Sequence, residues 1–119
     1  MIAVIFELWP RADQRERYFE LAAALHEDLK HVDGFLSVER FESVSQAGKY
    51  VSLSFWRDEA AVQAWRSQSG HRAAQKQGRE HVFSDYRLRI ATVTRDYGLN
   101  DRDQAPEDSN QQFGVAPGR

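Results

Sequence analysis

Cysteine is absent from these 119 residues. That excludes disulfides, thiolate metal sites and cysteine nucleophiles. Long apolar runs are also missing. No stretch approaches the ~20 apolar residues that a membrane span requires, and Trp9-Pro10-Arg11 interrupts the opening run before it resembles a secretion signal. A cytoplasmic protein with no membrane partner is therefore expected. Neither sign of charge dominates, with a formal net charge of −2 and a pI near 6.1. This argues against nucleic acid as an obligate partner. The chain has no HExxH or HxxxH motif, no internal repeat and no low-complexity tract. His26 and His31 fall on a polar helix side, so a metal site has little support.

What is present is enough apolar residue, 41%, for one core in one domain. Residues 2–9, IAVIFELW, are short and β-branched, and Pro10 bounds them, so they read as a strand. Ile2, Val4, Phe6 and Leu8 alternate with Ala3, Ile5, Glu7 and Trp9. Both faces are largely apolar, so both are expected to be covered. Residues 13–32 carry Tyr18, Leu21, Ala22, Leu25 and Leu29 at helical spacing. Asp13 and Glu16 have capping-box spacing, and Asp33-Gly34 closes the segment.

Strands are expected over 35–45 and 49–56, joined by Gln46-Ala47-Gly48. Val51, Leu53 and Phe55 form a clean apolar face, expected to point at the core, opposite a mixed face of Tyr50, Ser52, Ser54 and Trp56. A helix over 58–67 turns Ala61, Val62 and Trp65 inward. Helical residues 71–81 follow a break at Gly70. The last strand, 84–97, places Tyr86, Leu88 and Ile90 on one face and Arg87, Arg89, Ala91, Val93 and Arg95 on the other. Residues 99–119 are polar and read as a tail, with Phe113 and Val115 as its late apolar residues. The chain thus divides into a domain over 1–98 and a tail over 99–119.

The resulting order is βαββαβ, the ferredoxin-like arrangement of an α+β fold with a four-stranded antiparallel sheet. Helices cover one face of such a sheet. Apolar side chains on the other are poorly matched to water, so a homodimer packed sheet to sheet is expected.

The candidate site residues are aromatic, basic and polar. Trp65 offers a pocket wall and an indole N–H, although a Trp on a short helix is more often simply core. His71, near a helix start, is favoured in its neutral form and so able to act as a base. A solvated or capping His is the plainer alternative. Gln75 lies one turn beyond His71. Glu7, between apolar neighbours, is expected either to have a raised pKa or to pair with Arg40 or Arg89. Trp56 and Phe83 complete a possible aromatic wall. The basic residues Arg72, Lys76, Arg79, Arg87, Arg89 and Arg95 suit ion pairing or an anionic ligand.

The run from Tyr50 to Gly98 has a strand ending Ser54-Phe55-Trp56, a helix with Trp65, and His71 at the head of the next helical segment. With the opening strand and the Asp33-Gly34-Phe35 corner, it resembles the antibiotic biosynthesis monooxygenase family of dimeric α+β barrels. The resemblance covers about residues 1–98. It implies a dimeric barrel and an oxygenase acting on an aromatic or quinol-like small molecule between helices and sheet, with His71 and Trp65 catalytic. Trp56, Glu7, Gln75, Phe83 and Arg40 would bind substrate.

In the family's cofactor-free branch Trp65 matches the helix Trp, while His71 stands where a Tyr is expected. In its haem-degrading branch Glu7 stands where an Asn is expected, and Gln75 about where the haem-ligating His belongs. No cofactor is therefore expected, and haem is the disfavoured option. A non-catalytic binding or structural module of the same fold is the alternative.

Overall fold

The computed structural model describes residues 1–68, 72–73, 76 and 81–112. The expectations for His71, Gln75, Phe113 and Val115 lie outside the described residues. Four strands, β1 (Ile2–Pro10), β2 (Phe35–Glu42), β3 (Tyr50–Trp56) and β4 (Phe83–Thr92), form one sheet in the order β2-β3-β1-β4. All three pairings are antiparallel. The helices are α1 (Arg15–Leu29), α2 (Glu59–Arg66) and α3 (Glu107–Gln112). Among the described residues no helix is long and apolar enough to cross a membrane.

The register decides which side chains face the helices. Ile2 pairs with Trp56, Val4 with Ser54, Phe6 with Ser52 and Leu8 with Tyr50, and paired residues share a face. Ile2, Leu8, Tyr50, Ser54 and Trp56 are all buried. They meet Tyr18, Ala22 and Leu29 from α1, and Ala61, Val62 and Trp65 from α2. The mixed face of β3 is therefore the helix-covered one. Val51, Leu53 and Phe55 lie with Ile5 on the open face and are only partly buried. This reverses the expectation for β3. The inner face tolerates its polar groups because Trp56 Nε1 donates to Ser54 Oγ at 2.9 Å, so neither is left unpaired.

Local chemistry moves some boundaries. Helix α1 begins after Gln14 rather than at Asp13, and no side chain caps it. The Asp13–Glu16 capping box does not form. Helix α2 is capped by Asp58, whose Oδ1 accepts Ala61 N at 2.9 Å. Just before it, Arg57 donates to both carboxylate oxygens of Asp33, at 3.1 and 3.2 Å, and its N–H donates to Gly34 O at 2.8 Å. Gly34 has φ +87°, and a Cβ there would lie 2.6 Å from Ala61 Cβ. This corner thus needs glycine twice, for its backbone angle and for the closeness of α2.

Candidate functional site

The helix-covered face holds two neighbouring clusters. In the first, Trp56 and Trp65 pack with Ile2, Leu29, Ala61 and Val62. Trp56 is 2% exposed and Trp65 6%, and the Phe35 ring meets Trp56 edge-on at 5.4 Å. The two tryptophans are brought together as the sequence suggested, inside a packed core. The indole N–H of Trp56 is already committed to Ser54.

The second cluster joins Leu8, Tyr18, Ala22, Tyr50 and Val82, with Phe6, Leu21 and Phe83 against it. Its rings form a continuous series. Tyr18 touches Phe19, Tyr50 and Phe83, with centroids 5.3, 5.9 and 6.1 Å away. Phe83 then meets Phe6 at 5.6 Å, and Phe6 meets Tyr86 at 5.7 Å. The Arg15 guanidinium lies 5.6 Å from both the Phe19 and Tyr50 ring centroids, a cation–π contact at the edge of the series. Phe83, one of the substrate-binding candidates, packs here, in a different cluster from the tryptophans.

Arg40 reaches beneath α1, where its Nη2 donates to Ala22 O at 3.0 Å. It does not pair with Glu7. It lies beside the Tyr18 phenol, whose oxygen is buried with no hydrogen-bond partner. Burial pushes the Tyr18 pKa above its usual value, and the Arg40 charge partly opposes that.

At β4 the helix-side face is about half-exposed among the described residues. Tyr86, Leu88 and Ile90 pair with Leu8, Phe6 and Val4, yet are 39%, 47% and 44% exposed. The result is an apolar strip flanked by Phe6 and Phe83, against which a flat ring can lie. The alternation of β4 had placed these three residues on one face. It could not show that α1 and α2 pack mainly over the other strands.

Glu7 is not part of this arrangement. It occupies the open face, where Arg89 Nη1 donates to its Oε2 at 2.9 Å and Lys49 Nζ lies 3.5 Å from its Oε1. The Lys49 ammonium also sits 5.0 Å from the Trp9 ring centroid. The pairing with Arg89 holds. A raised pKa does not, because the Arg89 hydrogen bond, helped by Lys49, outweighs desolvation and lowers it.

Among the described residues no group of His, Asp and Glu is arranged to hold a metal ion. A cleft of about 540 Å³ lies elsewhere, lined by Met1, Val93, Thr94, Arg95, Asp96, Asp101 and Gln104. None of the predicted site residues lines it.

Comparison with known proteins bears on this geometry. The family model described as antibiotic biosynthesis monooxygenase matches residues 1–77. The chain is 42% identical over 101 residues to a Pyricularia oryzae protein named jasmonate monooxygenase ABM, covering 85% of this chain and 47% of that one. It therefore spans about half the length of that relative. It is 33% identical over 94 residues to the uncharacterized Bacillus subtilis protein YqjZ, covering 78% of this chain and 79% of that one. The solved structure of Rv0793 from Mycobacterium tuberculosis superposes with a TM-score of 0.73 at 22% identity. It covers 82% of this chain and 98% of its own, a likeness of fold.

Proposed function

The chain belongs to the antibiotic biosynthesis monooxygenase family, and from that premise we propose that it is a small cofactor-free monooxygenase for an aromatic or quinol-like molecule. The observation that carries this reading is the half-exposed apolar strip of Tyr86, Leu88 and Ile90 beside Phe6 and Phe83, on the helix-bearing face. The name of the Pyricularia relative supports oxidation of a small organic molecule.

In this proposal the substrate ring lies on the strip, and His71 removes a phenolic proton. The resulting phenolate is electron-rich enough to pass an electron to O₂ in a dry site. Recombination forms the new C–O bond. Breakage of the O–O bond then leaves one oxygen in a quinone carbonyl and the other in water. A phenol plus O₂ giving a quinone plus water balances without an external reductant, so the substrate supplies every electron. Trp65 supports the region through the core it shares with Trp56.

The working unit in this reading is a homodimer. Ile5, Val51, Leu53 and Phe55 are only partly buried on the open sheet face, and Phe41 is 44% exposed. A stable partner interface buries about 800 Å² on each side, and a second sheet supplies a matching surface.

Oxygen uptake with a panel of phenols and hydroquinones tests the activity. We expect turnover by the unmodified chain and its loss in a His71→Ala, Trp65→Phe double variant that remains folded by circular dichroism. No oxygen uptake above background by either protein would support the alternative, a binding module without turnover, and equal measurable rates would refute the roles given to His71 and Trp65.

A further inference from the structure

Beyond Thr92 the chain leaves the sheet, and its last ladder-like bond is Val93 N to Met1 O at 3.0 Å. Residues 96–112 then form a compact unit rather than a loose tail. Gln104 Oε1 accepts Asp96 N at 2.8 Å. Gly98 N donates to Asp101 O, Ala105 N to Arg102 O and Asn110 N to Pro106 O. Arg102 is the hub. It donates to Gly98 O at 3.1 Å, Asn110 Oδ1 at 3.1 Å and Ser109 Oγ at 2.9 Å, and lies 5.0 Å from the Tyr97 ring centroid. Asn110 is 2% exposed. Among the described residues, each of these bonds stays within 96–112.

This unit borders the end of the sheet across the cleft that Met1, Val93 and Thr94 form with Asp101 and Gln104. The radius of gyration is 17.4 Å and the longest dimension 52 Å, whereas a compact chain of this length has a radius of about 13.5 Å. The fold shared with the mycobacterial structure uses 98% of that chain but 82% of this one, so this chain has material to spare beyond it. Leu99 is 88% exposed and Tyr97 43%. Asp101, Asp103, Glu107 and Asp108 are exposed carboxylates, against the single internally committed Arg102. Such a unit is held together by its own hydrogen bonds and presents a mostly acidic surface.

The complementary surface is on β4. Arg87 and Arg89 lie on the open face with Glu7 and Ile5, and both are exposed. Arg89 donates to Glu7. Arg87 has no ion-pair partner among the described residues.

We propose that residues 96–112 are a preformed arm that docks on the open sheet face of a second copy of the chain. Its carboxylates meet the partner's Arg87 and the partner's Arg89, and Leu99 meets the apolar side chains beside them. The inference rests on the homodimer reading. Because the arm's hydrogen bonds exist before docking, little conformational entropy remains to be lost on association. Charge complementarity then fixes its orientation on the partner.

The absence of cysteine makes the test clean. Full-length Arg87→Cys and Asp103→Cys chains, one carrying ¹⁵N, are co-expressed and treated with a short bis-maleimide. We expect a product with the summed mass of one labelled and one unlabelled chain, joined between residues 87 and 103. In a second measurement, Arg87→Glu weakens dimerisation about tenfold, and adding Asp103→Lys with Asp108→Lys restores it. A Phe55→Cys chain that cross-links to its copy, while the 87–103 product is absent and Arg87→Glu dimerises normally, overturns the arm and leaves the dimer standing. Sedimentation of the unmodified chain at 13.7 kDa overturns both.

Discussion

Replacing Gly34 with alanine tests whether the corner before α2 is built as described. Two costs combine at that position. An L side chain at φ +87° costs about 1–2 kcal/mol from backbone sterics. The added Cβ also falls 2.6 Å from Ala61 Cβ, a contact that forces α2 to shift at about 1–3 kcal/mol, as in other overpacked sites. Gly34→Ala should therefore cost about 2–5 kcal/mol, a large part of a typical domain's stability.

Gly48 is the internal control. It has φ +77° with nothing within 4 Å of its would-be Cβ, so Gly48→Ala should cost only the backbone part, about 1–2 kcal/mol. Urea unfolding at one fixed protein concentration measures both, since self-association shifts apparent stability. With an m-value of about 1–3 kcal/mol per molar, the two midpoints should be clearly separated. Adding Ala61→Gly to Gly34→Ala should recover the steric part, as a coupling of about 1–3 kcal/mol in a double-mutant cycle. Two glycine variants equal within about 0.5 kcal/mol, with no coupling to residue 61, would refute the reasoning.

The inner face and its opposite give three more expected outcomes. Ser54→Ala leaves the buried Trp56 N–H without its acceptor and should cost about 1–3 kcal/mol by thermal or urea unfolding. Tyr18→Phe removes a buried oxygen that has no well-formed hydrogen bond and lies beside Arg40, so stability should stay within about 1 kcal/mol of the parent, a smaller change than that of Ser54→Ala. Glu7 titrates below its ordinary value because Arg89, and then Lys49, stabilise its charged form. Its contribution is therefore full above the unfolded pKa and is lost as pH falls through the lower folded pKa. Glu7→Gln should lower stability at neutral pH and flatten the acid limb of the stability profile, as measured by unfolding from pH 7 down to pH 2.

Much of the fold was legible because it depends on local periodicity. The alternation in IAVIFELW, the stripe from Tyr18 to Leu29 and the inward set Ala61, Val62 and Trp65 each specify an element on its own. The facing of β3 was not legible. Its cleaner apolar set, Val51, Leu53 and Phe55, suits a face awaiting a partner. The polar inner set works only because Ser54 and Trp56 satisfy one another, a pairing that no hydrophobic pattern announces. The strand assigned to 84–97 stops at Thr92, since the alternation continues past the point where β1 has residues left to pair. Residues 99–119 read as a polar tail by composition, yet Glu107–Gln112 is helical and Arg102 organises its surroundings through side-chain bonds. Trp56, Trp65 and Phe83 were singled out by residue type, and the structure packs the two tryptophans in one core cluster and Phe83 against the other. Glu7 keeps the strand face it shares with Ile5 and its pairing with Arg89, but which face the helices cover was open until the register was known. The family resemblance, resting on residue order between Tyr50 and Gly98, is the part that the comparisons support most directly.

In the proposed reaction the substrate lies on the helix-side strip of β4, and adjacent residues on that strand point to opposite faces. Leu88, 47% exposed, sits in the middle of the strip, so Leu88→Arg places a charge where the ring must lie and removes no core contact. Oxygen uptake with a turned-over phenol or hydroquinone, measured alongside circular dichroism and sedimentation, is the decisive comparison. A substrate bound there predicts at least about a tenfold loss of kcat/KM, equivalent to about 1.4 kcal/mol, with fold and assembly unchanged. An undiminished rate in a folded Leu88→Arg protein would contradict it.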